Sequence, residues 1–139
     1  MSHNIRTFDA DNFRRICRQL SKQDLDLKNI ILQHGYSPMW TRPATFQTLI
    51  LTILEQQVSL AAAYAAFKKL KERIGYVTPA KILLLSDEEM RACYFTRQKM
   101  GYARGLAEAI QSKKIQLKKL TALPDEEVRR ELIQLKGIG

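Results

Sequence analysis

Two small groups of residues have the types and spacing to touch a ligand. The first interrupts the most apolar passage of the chain, Phe46 to Leu70. There Glu55, Gln56 and Gln57 fall where a core helix should end, and Ser59 follows with an oxygen able to cap the next helix. Each glutamine carries two N–H donors and an acceptor, and burying them unpaired would cost about 1 to 3 kcal/mol. The pair is therefore expected to face water or a polar partner. The second group is Lys136, Gly137, Ile138 and Gly139, in which two glycines flank one apolar residue after a helical stripe. Glycine permits positive φ and lets another backbone come close, so this segment suits a tight hairpin.

Other chemistry is sparse. Asp87 and Asp125 stand at helix starts, where capping and the helix dipole account for them. Cys17 and Cys93 match no metal-ligand spacing and read as buried free thiols; His3 and His34 form no ligand pair. No metal and no cofactor are expected.

The elements that must position these groups are helical. Phe46, Leu49, Ile50, Ile53 and Leu54 form one apolar stripe before the glutamine corner, and Leu60, Ala63, Tyr64, Phe67 and Leu70 resume the period after it. Upstream, Asp9 or Asp11 can cap a helix with Phe13, Ile16, Cys17 and Leu20 on one face. A second helix from Asp24 to Gln33 stops at Gly35. The connection GYSPMWTRPAT holds two prolines and Trp40, which in such a loop reads as a lid over a core. Downstream, Gly75 stops a helix, Thr78 and Pro79 open a short one, and Ser86 with Glu89 forms a capping box. Thr96 opens a longer helix with Met100, Ala103, Leu106, Ala107 and Ile110 inward. Val128, Leu132 and Leu135 stripe the last helix, whose first turn holds Asp125, Glu126 and Glu127. With no alternating strand pattern, repeat or low-complexity tract, the expected fold is all-α in a single domain of 139 residues, with N-terminal helices over 1–35 and the core over 36–139.

The chain carries a formal net charge of +9, which attracts polyanions in a salt-sensitive way. From Arg97 to Lys119 that excess is concentrated, although a solvated face is the commoner origin of such a run. No apolar run is long enough to cross a bilayer and the first residues lack a signal-peptide pattern, so a cytoplasmic location is expected, nucleoid-associated if bacterial.

The words ILEQQVSLAAAYAAF resemble a helix junction of the helix-hairpin-helix DNA glycosylases, in the branch that removes alkylated bases such as 3-methyladenine. MWTRPATF and YFTRQKMGYARGLAEAI are similar to further segments of that family. LKGIG, at the right order and distance downstream, is similar to its hairpin. Where many relatives place a glycine before the long helix, this chain has Cys93 or Tyr94. The resemblance implies that Gln56 and Gln57 point into the minor groove, with Gln57 as the wedge, Gln56 shaping the corner and Ser59 capping the helix behind it. It implies that Ile138 anchors the hairpin while backbone N–H groups around Lys136, Gly137 and Gly139 face a phosphate, and that Trp40 walls the base pocket. The partner would be double-stranded DNA with damaged bases, and the reaction hydrolysis of a flipped nucleotide's glycosidic bond.

In that family the second hairpin helix and the catalytic aspartate follow the hairpin, so the fold is expected to be C-terminally incomplete at Gly139 and the chain inactive alone. Any iron-sulfur loop would also fall beyond it, and Lys136 lies inside the hairpin, unlike the lysine of lyase-type relatives. A core built to receive another helix would leave Val128, Leu132 and Ile138 partly uncovered and favour self-association. The competing readings are a non-catalytic DNA-binding module and a helical protein-interaction module.

Overall fold

The computed structural model describes residues 7–139, which divide into two compact units, 7–42 and Pro43–Gly139. His3 lies outside the described residues. Among those residues every regular element is a helix, and no helix is long and apolar enough to cross a membrane.

The first unit holds α1 (Ala10–Gln23) and α2 (Leu25–His34), which pack on each other. Asp9 rather than Asp11 caps α1, through a box in which the Asp9 carboxylate accepts from Asn12 N–H at 2.7 Å and Asn12 Oδ1 accepts from Asp9 N–H at 2.9 Å. Asp24 ends α1 and caps α2, and Gly35 closes α2 at φ 78°. Phe13, Ile16, Cys17 and Ile31 are half-buried, whereas Leu20, Leu27 and Ile30 are exposed, so the expected inward faces are only partly covered. Cys17 is half-buried as well, where a buried thiol was expected.

The second unit runs α3 (Phe46–Glu55), α4 (Leu60–Ile74), α5 (Pro79–Leu84), α6 (Asp87–Ala92), α7 (Arg97–Gln111), α8 (Leu117–Leu120) and α9 (Asp125–Leu132). The first five of these each open on a serine or threonine whose side chain accepts a backbone N–H one turn on: Thr45, Ser59, Thr78, Ser86 and Thr96. Each such cap contributes about 1 kcal/mol and fixes where its helix starts. α8 and α9 lack a side-chain cap.

Ile50, Ile53, Leu54, Leu70, Ile82, Met90 and Leu106 form the enclosed core, with α7 packed on α3, α5 and α6. Each such side chain contributes about 1.5 to 3 kcal/mol through burial. The α4 stripe is rotated from its expected face. Ala63, Ala66 and Leu70 are buried, while Leu60 and Tyr64 stand out in solvent. α4 packs on α3, and small alanines on its buried face suit close helix–helix packing. Arg104 fastens α7 to the α5–α6 connection, donating to the Asp87 carboxylate at 2.6 Å and to the Leu85 carbonyl at 2.9 Å. Lys81 Nζ donates to the Ile74 and Tyr76 carbonyls at 2.9 and 3.1 Å, which quiets the C-terminus of α4. Val128, Leu132 and Ile138 are partly exposed, and the first two line an apolar groove of about 220 Å³ with Leu49, Leu117 and Leu120.

Candidate nucleic-acid interface

α3 ends because Gln56 leaves the helix and Gln57 turns to φ 60°, a left-handed conformation that costs a residue with a Cβ about 1 to 2 kcal/mol. Ser59 Oγ then accepts from Ala62 N–H at 3.1 Å and starts α4. The two glutamines part company at this corner. Gln57 is exposed, while Gln56 is half-buried and its Nε2 donates at 2.8 Å to the Gly137 carbonyl, 81 residues away. The partner that the glutamine pair required is thus, for Gln56, the terminal hairpin itself.

The hairpin is closed by Leu135 N–H to Leu132 O at 3.0 Å and Ile138 N–H to Leu135 O at 3.1 Å. Gly137 has φ 92°, and a Cβ there would fall on the ring of Tyr102 in α7, so two independent constraints demand glycine. Gly139 has φ 130° but meets Ile133 at no less than 3.4 Å, so only its backbone angle is special. Ile138 is half-buried against the core and anchors the loop; Lys136 is exposed beside it.

Beneath the corner lies a residue that sequence reasoning counted only as charge. Among the described residues Lys99 is the buried charged side chain, 8% exposed, and its Nζ donates to the Leu54 carbonyl at 2.7 Å. That carbonyl belongs to the last turn of α3, where carbonyls lack helical partners and the dipole is negative. Burial pushes the Lys99 pKa down from its ordinary value. Lys99 and Tyr102 are three residues apart on α7, so one helix face carries both the prop under the corner and the floor under the hairpin. The turn before α7 also becomes definite. Tyr94, not Cys93, takes the left-handed position, at φ 63°.

Six of the site residues named from sequence therefore come together: Gln56, Gln57 and Ser59 at the corner, and Gly137, Ile138 and Gly139 in the hairpin, with Lys136 at its edge. Trp40 belongs to the first unit, in a connection without helical structure, and is 87% exposed. The expectation of a lid over a core is corrected, since that irregular segment carries the indole at the surface. Among the described residues no cluster of histidine, cysteine, aspartate or glutamate could hold a metal ion.

Residues 50–139 match the family of HhH-GPD superfamily base excision DNA repair proteins. The chain is 29% identical to DNA-3-methyladenine glycosylase 1 of Schizosaccharomyces pombe, over 96% of its own length and 64% of that protein. Among the solved structures similar to it are two glycosylases. The S. pombe 3-methyladenine DNA glycosylase in complex with abasic DNA has a TM-score of 0.78 and 31% identity, over 90% of this chain and 64% of that one. DNA-3-methyladenine glycosidase of Bacillus halodurans has a TM-score of 0.76 and 28% identity, over 97% and 62%. The chain thus spans less than two thirds of the length of these relatives. With a hairpin that only glycine can form, bonded to a glutamine corner on the far side of the sequence, and with a family match over both, this chain belongs to the HhH-GPD superfamily of base excision DNA repair proteins.

Proposed function

We propose that this chain is the DNA-gripping part of a glycosylase that excises alkylated bases from duplex DNA. The observation that carries the reading is the 2.8 Å bond from Gln56 to Gly137, which joins the corner and the hairpin into one surface. In this reading the exposed Gln57 enters the minor groove and fills the space left by an extruded nucleotide. Backbone N–H groups of the hairpin glycines, with Lys136, hold a phosphate of the same duplex. The names of the relatives favour 3-methyladenine-type lesions, whose positive charge makes the base a ready leaving group and suits an aromatic wall. Trp40 is the side chain assigned to that wall.

Cleavage needs a carboxylate that stabilises the cation developing on the sugar. Of the aspartates here, Asp9 and Asp24 cap helices, Asp87 pairs with Arg104, and Asp11, Asp26 and Asp125 sit in the first turns of helices. By the family resemblance the catalytic carboxylate is assigned to a segment following the hairpin, and the chain alone is expected to release no base. Self-association through the partly exposed Val128 and Leu132 surface belongs to the same reading and is read from elution volume.

The test is anisotropy of a labelled duplex carrying a tetrahydrofuran abasic analogue against the intact duplex, over a salt series. The expected result is tighter binding to the abasic duplex, affinity that falls with salt, and loss of about tenfold on the abasic duplex for Gln57→Ala. Equal affinity for both duplexes would replace the glycosylase reading with a non-catalytic DNA-binding module. No binding at low salt would overturn the DNA role, and methylated-purine release by the purified chain would overturn the site assignment.

A further inference from the structure

Beside the glutamine corner the structure holds a second feature that the family comparison does not explain. Tyr94 sits at φ 63° and is nevertheless 59% exposed, so its backbone strain is not offset by burying the ring. Its N–H is fixed to the Arg91 carbonyl at 2.9 Å, and Lys69 Nζ stands 5.3 Å from the ring centroid, within cation–π range. The ring is thus held in place at the surface, with an ammonium over it.

What Tyr94 borders gives the pair a direction. Tyr94 and Val58, the residue after Gln57, both line one cleft of about 420 Å³, together with Ala62 and Ala65 of α4 and with Lys99. That lining includes no carboxylate, and the ammonium of Lys99 is held by the Leu54 carbonyl. The cleft is continuous with the corner through Val58, its alanines leave room for a flat group, and Lys69 and the exposed Arg97 add positive charge around Tyr94. An aromatic face with neighbouring cations is the combination that takes up a nucleotide, the base or sugar stacking while the phosphate meets the ammonium.

We propose that Tyr94, backed by Lys69, is a second nucleic-acid contact of this chain, taking up a nucleotide of the DNA strand next to the one engaged by the glutamine corner. The proposal rests on the DNA-gripping role assigned above. It also explains the residue type, because glycine would relieve the strain and only an exposed use of the ring gives tyrosine an advantage there.

The experiment measures stability and affinity together for the unaltered chain, Tyr94→Gly and Tyr94→Phe, with the tetrahydrofuran duplex as probe. Tyr94→Gly is expected to hold or raise Tm, since the left-handed strain is released. It is expected to weaken DNA binding about tenfold, while Tyr94→Phe keeps the affinity of the unaltered chain. A structural residue would not separate the two readouts in this direction. If the unaltered chain binds and Tyr94→Gly binds equally well, or if its Tm and affinity fall in parallel, the second contact is wrong while the gripping surface stands. If the unaltered chain does not bind, both are overturned.

Discussion

Replacing Lys99 by methionine removes the ammonium from under the corner and keeps an unbranched stem to fill its place. The lost interaction is a bond of 2.7 Å from a charged donor to a carbonyl at a helix C-terminus. Such a bond contributes about 1.5 to 3 kcal/mol, and the cation adds about 0.3 to 2 kcal/mol against the dipole. Confining the ammonium where it is 8% exposed takes some of that back. The net loss expected for Lys99→Met is about 2 kcal/mol, or about 8 °C in Tm for a domain near 100 residues. Thermal unfolding followed by far-ultraviolet circular dichroism reads the shift, and urea titration checks that the m-value is unchanged.

A second axis of the same experiment is pH. Burial lowers the folded-state pKa of Lys99 below its ordinary 10.5, so between those two values the unfolded chain binds more protons than the folded one. The cost of burying this charge is therefore full below the folded pKa, shrinks as pH rises across that window, and is gone above 10.5. The stability difference between the unaltered chain and Lys99→Met should widen as pH rises toward 10.5. An unchanged Tm together with a difference that is flat in pH would refute the assignment of Lys99 as the prop of the corner.

Gly137→Ala meets both a φ of 92° and the Tyr102 ring, and should cost about 3 kcal/mol in urea unfolding; a loss under about 1 kcal/mol would mean that the hairpin is not held as described. Glu89 accepts from the Ser86 backbone N–H at 2.8 Å, which with the Ser86 hydroxyl and Arg73 holds its carboxyl below the ordinary 4.5. Its contribution is present above 4.5 and lost as pH falls through the depressed folded value, so Glu89→Gln should flatten the acid limb of the stability profile, and superimposable profiles would refute this.

Local chemistry made much of the fold legible in sequence. Thr45 was not singled out, but Ser59, Thr78 with Pro79, the Ser86–Glu89 box and Thr96 each start a helix where their side chains said they would. What failed depended on neighbours distant in the chain. The inward face of α4 falls on Ala63, Ala66 and Leu70 in its packing among neighbouring helices, which no periodicity of Leu60 and Tyr64 could reveal. α8 is four residues with no side-chain cap and carried no local signal. At the site, an amide that could not be left unpaired was a sound clue at Gln56, although its partner was out of reach of the argument. Lys99 was hidden in a run of positive charge, and Tyr102 looked like an ordinary helix residue; a carbonyl 45 residues away and a glycine at the hairpin give them their roles.

The positions of Lys99 and Tyr102 on α7 have a consequence for how this chain can change over time. The interval between them is set by helical pitch, about 4.5 Å of rise, and the corner and the hairpin each rest on one end of it. One residue added between the two would turn one relative to the other by about 100° around the axis and unseat the loops they support. Length variation is therefore barred from this stretch even though neither side chain is assigned a place against DNA, and α7 serves as a ruler against which two remote loops are cut to the same measure.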